Sequence, residues 1–375
     1  MKKLLVIVFV LFLFVMLNAE KVSIENAEKI ALNWEENWNN QKNFSNKIIN
    51  AKATIQKNTP LFFTFSFENR GFVIVAADNN IVPILGYSFK SSIEKQITNP
   101  SLKLFLDKLS EEAFRVISEN IQNVEAQTKW SEIYNNDFSR YETRDVSPLL
   151  QTEWDQGQYY NEECPSDADG PGGHVYAGCV ATAMGQCMKY WNYPDNGVGN
   201  HSYYHSDYGT LSANFGNTTY NWNSMPNAIY GQDYDVANLL SHLGISVDMN
   251  YSPNGSGAYS EDARNALVNF FQYSNSAQLV WKDDYTNAQW ENVLKTELDG
   301  GRPMYYRGQS DDGGHAFVCD GYQASNYFHF NWGWSGYYNG YFYTSSLTPG
   351  DHSFNDWQGA IIGLEPANID PPDPD

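Results

Sequence analysis

The sequence predicts an α+β protein of two domains behind a short leader. The chain has 375 residues, more than one hydrophobic core usually supports. Charge divides it after Arg144, because the first part carries 17 basic and 16 acidic residues whereas the second carries 6 and 28. Within the second part, patterns typical of helices come first and patterns typical of strands come last. We therefore expect two folded parts, the second built from a helical lobe and a sheet lobe.

Residues 1–19, MKKLLVIVFVLFLFVMLNA, predict a secretory signal peptide. Two lysines precede a continuous apolar run that ends in a small residue, as in a leader removed after export. The run is short for a membrane span, and an uncleaved anchor is the alternative. We expect a secreted, extracellular protein with no stable membrane association after the leader is removed.

Residues 20–120 predict a small α+β domain. Apolar residues recur at helical spacing within 23–40 and 101–120, and Ser23 is a candidate N-cap for the first helix. The domain contains no histidine and no cysteine, so we expect no catalysis in it. Three β-rich runs lie between the two helical segments, at residues 61–67, 71–77 and 81–88.

The boundaries of the second domain follow from composition. Residues 121–148 are mostly polar and without strong periodicity, which indicates a linker open to proteolytic processing. Residues 149–366 form the second domain, and residues 367–375 are an acidic, proline-rich tail typical of disorder. The acidity of the second part disfavours nucleic acid as a partner, because phosphates would be repelled.

The second domain is organised around AGCVATAMGQCMKYW, residues 177–191. Gly178 permits a tight turn, and the apolar spacing that follows predicts a helix beginning at Cys179. A cysteine in the first turn lies at the positive end of the helix dipole, which favours the nucleophilic thiolate. The alternative is that Cys179 is a small buried apolar residue.

A candidate base follows in GGHAFVCDGY, where two glycines precede His315 and an alternating pattern continues as a strand. The next strand, NYFHFNWGWSG, ends in Asn331, Trp332 and Trp334. A cysteine, then a histidine, then a strand bearing Asn and Trp is the order found in papain-like cysteine hydrolases. A structural histidine and sheet-core tryptophans are the alternatives.

Several spaced stretches together resemble the streptopain family of secreted bacterial cysteine peptidases. The resemblance implies a papain-like, two-lobed peptidase with its active site between the lobes, preceded by an inhibitory propeptide. It also implies two kinds of partner, namely protein or peptide substrates and the chain's own propeptide. The stretches are GCVATAMGQCMKYWNYP, NWNSMP, LGISVDMNY, GGHAFVCDGY and NWGWSGYYNGYF, with GFVIVAADNNIVPILGYS resembling the family's pro-region.

The resemblance implies roles for individual residues. Cys179 would be the nucleophile and His315 its general base and acid, in peptide hydrolysis through a thioester. Gln156 of WDQG would contribute to the oxyanion hole, with Gln158 as the nearby competitor.

The sequence leaves two candidates for the residue that orients His315. Papain-like enzymes use an asparagine, here Asn331, whereas the streptopain family places the first tryptophan of NWGW there, here Trp332. Indole has no acceptor for a histidine N–H, so Trp332 would shield the catalytic pair while Trp334 packs behind it.

No metal or cofactor is expected. The spacing of the cysteines and His174 matches no usual zinc arrangement, and a metal would quench the nucleophile. Cys179 must stay reduced, so activity should need reducing conditions. A disulfide between Cys164 and either Cys187 or Cys319 stays open, because spacing alone cannot decide it.

The sequence thus predicts a secreted cysteine endopeptidase, made as a zymogen and activated by proteolytic removal of its propeptide. One alternative is a catalytically inactive binding protein or adhesin on the same fold. Another is a cysteine transferase acting on acyl or amide groups. The pro-region favours the protease, because latency matters most for an enzyme that can digest its surroundings.

Overall fold

The computed structural model describes residues 21–39, 47–68, 70–93, 99–141, 144–310, 313–345 and 358–367. The predicted signal peptide and residues 368–375 of the predicted tail lie outside these ranges. Among the helices described, none combines the length and the apolar character that crossing a bilayer requires.

The described ranges contain seven α-helices and twelve β-strands. The helices are α1 (Ile24–Trp38), α2 (Pro100–Ser118), α3 (Val124–Tyr134), α4 (Cys179–Trp191), α5 (Tyr234–Ser246), α6 (Ser260–Asn269) and α7 (Asn287–Asp299). The strands are β1 (Ile48–Gln56), β2 (Thr59–Phe67), β3 (Phe72–Ala76), β4 (Ile84–Ser88), β5 (His201–His205), β6 (Gly209–Ala213), β7 (Gln278–Trp281), β8 (Met304–Ser310), β9 (Gly313–Gln323), β10 (Tyr327–Asn331), β11 (Gly340–Tyr343) and β12 (Gly359–Ile362).

One antiparallel sheet runs through both predicted domains. In the described residues it has ten strands, in the order β1-β2-β3-β4-β11-β10-β9-β8-β12-β7. The domains join where β4 pairs with β11, with Tyr87 opposite Tyr341 and Gly86 opposite Phe342. A Cβ on Gly86 would lie 2.5 Å from the Phe342 ring, so only glycine permits this approach. The N-terminal domain therefore extends the sheet of the second domain.

Aromatic side chains fill the boundary between the domains. Trp34 of α1 is fully buried, with its ring centroid 5.4 Å from Tyr87 and 5.1 Å from Tyr327. Phe105 of α2 lies over the sheet of the second domain, 5.9 Å from Trp332 between ring centroids. Because large rings bury much apolar area, these contacts hold the two domains together.

Helix α4 lies where the helical lobe meets the sheet. It packs against α5 and α6 on one side and against β8 and β9 on the other. Every residue from Cys179 to Met188 is buried, so the helix is enclosed rather than amphipathic. The predicted α+β class, with a helical lobe, an antiparallel sheet lobe and a small α+β domain before them, is confirmed.

The segment 121–148, predicted as a linker, contains helix α3. Asn123 caps this helix by accepting a hydrogen bond from the Ala126 N–H at 3.1 Å. The Trp130 indole N–H donates to the Ile81 carbonyl at 2.8 Å, which fixes the helix on the N-terminal domain. Ala126, Trp130 and Ile133 are buried at helical spacing, so the helix has a periodic signal that the prediction of a linker overlooked. Proteolytic processing within residues 121–148 stays a prediction, and because α3 ends at Tyr134 we expect it in residues 135–148.

Three other features were absent from the sequence-based expectation, namely strand β1, strand β7 and the hairpin of β5 and β6. The outer strand β1 is largely exposed, but its apolar residues alternate with polar ones from Ile49 to Gln56, so the sequence carried a strand signal that was overlooked. The hairpin of β5 and β6 lies in a tract rich in Tyr, Asn, Gly and Ser that predicts loops.

Candidate active site

Cys179 is the first residue of α4 and lies in a cleft between the lobes. Gly178 before it has φ 94°, a conformation that favours glycine, and turns the chain directly into the helix. A Cβ on Gly178 would lie 2.8 Å from Met249 Cε, so a side chain there would also require Met249 to move. Cys179 is 7% exposed, and its Sγ accepts a hydrogen bond from the Ala316 N–H at 3.4 Å.

His315 reaches the same cleft from β9. This strand contacts α4 and pairs with β8, where His315 lies opposite Gly308. Both predicted catalytic residues, far apart in sequence, therefore line one cleft of about 220 Å³. In the described part of the chain, no hydrogen bond joins the His315 ring to Cys179.

The other walls of the cleft come from two segments. Residues 257–260 of the helical lobe form one wall, and Tyr305, Arg307 and Gln309 of β8 form the other. The Ser260 and Tyr305 hydroxyls are 2.9 Å apart, so this hydrogen bond links the two walls. Sequence reasoning missed the β8 residues. Their only signal was their position in the strand just before the histidine strand.

Gln156 lies against the turn that precedes α4. Its carbonyl accepts a hydrogen bond from the Ala177 N–H at 2.9 Å. Asp155 fixes the loop, because its Oδ1 accepts from the Gln156 N–H and its Oδ2 from the Ser335 hydroxyl, both at 2.7 Å. Gln156 is buried whereas Gln158 is exposed.

Asn331 joins the lobes. Its Nδ2 donates to the Thr152 carbonyl at 2.6 Å, and its Oδ1 accepts from Gln186 Nε2 at 3.3 Å and from the Gly333 N–H at 3.1 Å. Both ends of the amide are therefore engaged, and no hydrogen bond connects it to His315 within the described ranges.

Trp332 and Trp334 follow Asn331 and differ in environment. Trp332 is fully buried, its indole N–H donates to the Tyr338 carbonyl at 3.1 Å, and its ring lies 4.6 Å from that of Phe317. Trp334 is partly buried, and its indole nitrogen has no hydrogen-bond partner among the described residues. Trp332 thus belongs to the aromatic core beneath β9.

All four cysteines of the chain are buried and free in this structure. The proposed pairings of Cys164 with Cys187 or Cys319 are therefore not formed. In the ranges that the structure describes, no three His, Cys, Asp or Glu side chains gather as metal ligands would.

Family comparisons match both parts of the chain. Residues 154–342 match the Peptidase C10 family, and residues 19–114 match the Spi protease inhibitor family. The chain belongs to the peptidase C10 family. Its second domain is therefore a cysteine peptidase domain, and the predicted resemblance to the streptopain family is confirmed.

Individual relatives agree with this assignment. Thiol protease/hemagglutinin PrtT of Porphyromonas gingivalis is 33% identical over 84% of this chain, which spans 38% of the length of PrtT. Streptopain of Streptococcus pyogenes is 31% identical over 81% of this chain and 80% of its own length.

Two solved structures from Prevotella intermedia share the fold. A prointerpain A fragment with a cysteine-to-alanine mutation has a TM-score of 0.70 at 32% identity, covering 84% of this chain and 98% of the fragment. The active wild-type interpain A cysteine protease has a TM-score of 0.54 at 36% identity, covering 61% of this chain and 98% of its own. The likeness to the pro-form thus includes the N-terminal domain of this C10 peptidase.

Burial sets the ionisation of the two cleft residues. It raises the pKa of the Cys179 thiol, although hydrogen bonds from backbone N–H groups and the charge of Arg307 oppose the shift. Burial also lowers the pKa of His315. Both shifts favour a neutral thiol and a neutral imidazole over a thiolate–imidazolium pair.

We expect slow alkylation of Cys179 by iodoacetamide in the full-length chain at neutral pH. Because the folded-state pKa is raised, the thiolate fraction is below that of a free cysteine, and the rate should climb with no plateau below about pH 9. Peptide mapping of labelled protein between about pH 6 and 9 measures this rate. A plateau below neutral pH would show instead that the ion pair already exists in the full-length form.

Proposed function

We propose that the chain is a secreted cysteine endopeptidase, made as a zymogen, that hydrolyses peptide bonds after its propeptide is removed. The observation that carries the proposal is the meeting of Cys179 and His315 in one cleft. Burial favours the neutral thiol of Cys179 in the full-length form, and the imidazole in the same cleft can accept its proton to give the nucleophilic thiolate and later return a proton. The leader-like residues 1–19 support export.

Cys179 and His315, which line the cleft, support a thioester mechanism. The Cys179 thiolate would attack the carbonyl carbon of the substrate, and Gln156 with the Cys179 N–H would stabilise the oxyanion. As the intermediate collapses to a thioester, His315 would protonate the leaving amine. His315 would then deprotonate a water molecule, whose attack releases the acid and returns the thiol.

The proposed inhibition by residues 20–120 is supported by contacts beside the catalytic strand. In α2, Leu104 lies 3.7 Å from the position of a Cβ on Gly308, the residue opposite His315. Phe105 packs on Trp332. All described residues that line the cleft belong to the peptidase domain. We infer that α2 acts on the walls of the cleft and holds His315 out of its hydrogen bond with Cys179.

Different roles are proposed for the three residues near the end of β10. Trp332, packed against the ring of Phe317 below β9, fits a shielding role, and Trp334 would support it. Asn331 would instead hold the lobes together, because its amide donates a hydrogen bond to the Thr152 carbonyl and accepts one from the Gln186 side chain. The histidine would then be oriented by its strand and by shielding rather than by the Asn331 amide.

Mass spectrometry of the exported protein in dithiothreitol, compared with Cys179→Ala, tests the proposed function. We expect the wild type to lose its N-terminal part by cleavage within residues 135–148 and to digest casein. Cys179→Ala should stay whole and inert. If both proteins remain intact and inert even after deliberate cleavage in that segment, a binding role becomes the better account.

The oxyanion role of Gln156 gives a separate prediction. Gln156→Ala should lower kcat by about 100- to 1,000-fold, since one donor to the developing negative charge is lost. Gln158→Ala is the matched control, because this exposed side chain lies two residues away, and it should leave kcat nearly unchanged. Steady-state hydrolysis of a fluorogenic peptide measures both. Equal effects of the two changes would remove Gln156 from the mechanism.

A further inference from the structure

Arg307 places a positive charge in the active-site cleft. It lies on β8 opposite Ala316, and the next pair in the register is Gly308 with His315. A guanidinium nitrogen of Arg307 lies 3.4 Å from the position of a Cβ on Gly314. Among the described residues that line the cleft, Arg307 is the one with a permanent positive charge.

The guanidinium is held in place by neutral groups. Its carbon lies 4.7 Å from the centroid of the Trp281 ring, and its Nη2 donates a hydrogen bond to Gln309 Oε1. A stacked, hydrogen-bonded guanidinium loses little further freedom when it binds a ligand. Arg307 is thus preorganised to present its remaining N–H donors.

No carboxylate among the described residues forms an ion pair with Arg307. By contrast, Arg302 on the same stretch pairs with Glu297 at 2.8 Å. The lack of a carboxylate partner for Arg307 is notable because carboxylates are abundant in this part of the chain, where acidic residues outnumber basic ones 28 to 6 after Arg144. The charge also reaches the nucleophile, since Arg307 counteracts the burial that raises the pKa of Cys179.

We propose that Arg307 selects peptide substrates that carry an acidic side chain, Asp or Glu, close to the scissile bond. The inference rests on the proposed peptidase function and deepens it. A substrate carboxylate would accept charge-assisted hydrogen bonds from the guanidinium, which are stronger than those to a neutral amide of the same size. The partly enclosed cleft strengthens this attraction because water screens it less.

Matched fluorogenic peptides test the proposal. Each pair carries Glu or Gln at one of three positions on either side of the scissile bond, and the full-length chain is activated by limited trypsin cleavage within residues 135–148. We expect kcat/KM to be about 10-fold higher for the Glu peptide of at least one pair. High ionic strength should reduce the ratio.

Two variants assign the preference to Arg307. Arg307→Gln should bring the Glu-to-Gln ratio near one, and Arg307→Glu should favour Lys over Gln at the same position. The ratio is the decisive measure, because both peptides meet the same nucleophile and any change in Cys179 reactivity cancels. Lys295→Gln is the control. It removes the same charge at a residue that does not line the cleft, and it should keep the wild-type ratio.

The outcomes separate this inference from the function on which it rests. Equal rates for every Glu and Gln pair in a wild type that hydrolyses neutral peptides would overturn the inference and leave the peptidase standing. A preference that survives in Arg307→Gln would overturn it as well. If the activated wild type hydrolyses no peptide, the proposed function fails and the inference fails with it.

Discussion

Replacing His315 with alanine should lower kcat/KM for peptide hydrolysis by about 10,000-fold. Burial raises the pKa of Cys179, so without a neighbouring base little thiolate forms, and the leaving amine also lacks a proton donor. The wild type should show a bell-shaped pH profile, whereas the residual activity of His315→Ala should rise steadily with pH. Steady-state kinetics between about pH 5 and 9 measure both profiles.

The method of activation and a control variant ensure that the loss of activity can be attributed to His315. Activation by trypsin at the exposed Arg140 and Arg144 avoids adding traces of active wild-type enzyme. His201→Ala is the control, because His201 pairs with Asp248 in the helical lobe and does not line the cleft. It should keep near-wild-type kinetics. A His315→Ala enzyme with an unchanged pH profile would place the base elsewhere.

Phe105→Ala should weaken the binding of the propeptide to the peptidase by about 100-fold. The Phe105 ring contacts the peptidase sheet, with centroids 5.9 Å from Trp332, 5.4 Å from Phe342 and 6.3 Å from Phe330. Truncation removes this apolar area and leaves a cavity at the domain boundary. After cleavage within residues 135–148, the protein is diluted and the concentration at which activity appears is measured. That concentration should be about 100-fold higher for the variant.

Phe114→Ala is the matched control on the same helix. The Phe114 ring lies 5.2 Å below the Lys57 ammonium, within the propeptide, so its loss should weaken the propeptide fold without removing a contact to the peptidase. A large effect of Phe105→Ala and a small effect of Phe114→Ala locates the inhibitory contact on the sheet. Equal effects would mean that helix stability, rather than this contact, controls release.

Several structural features of this protein could be predicted from its sequence, because interactions between neighbouring residues specify them. Gly178 followed by Cys179 and a buried apolar run predicts the start of α4, where the structure has it. Ser23 predicts the cap of α1 and indeed accepts a hydrogen bond from the Asn26 N–H. Most strands of the N-terminal domain and of the sheet lobe were predicted from β-rich runs, a pattern that depends on neighbouring residues alone. The order of Cys179 and His315 was read directly from the chain.

Other features depended on residues that meet only in the folded chain. The amide of Asn331 is engaged by Thr152 and Gln186, so its role could not be read from its place beside Trp332. The docking of helix α3 depends on the hydrogen bond from the Trp130 indole to the Ile81 carbonyl, 49 residues earlier in the chain. These outcomes required tertiary contacts that no local pattern encodes.

The sequence by itself determined the secondary structure around Cys179, the order of the two domains and the family. Only the tertiary structure decided that β4 would join β11, so that one sheet spans propeptide and peptidase. It also decided that Arg307 would enter the cleft, through the register of β8 against β9. Local patterns arise from interactions among near neighbours, whereas strand pairing and register are selected by the packing of remote segments.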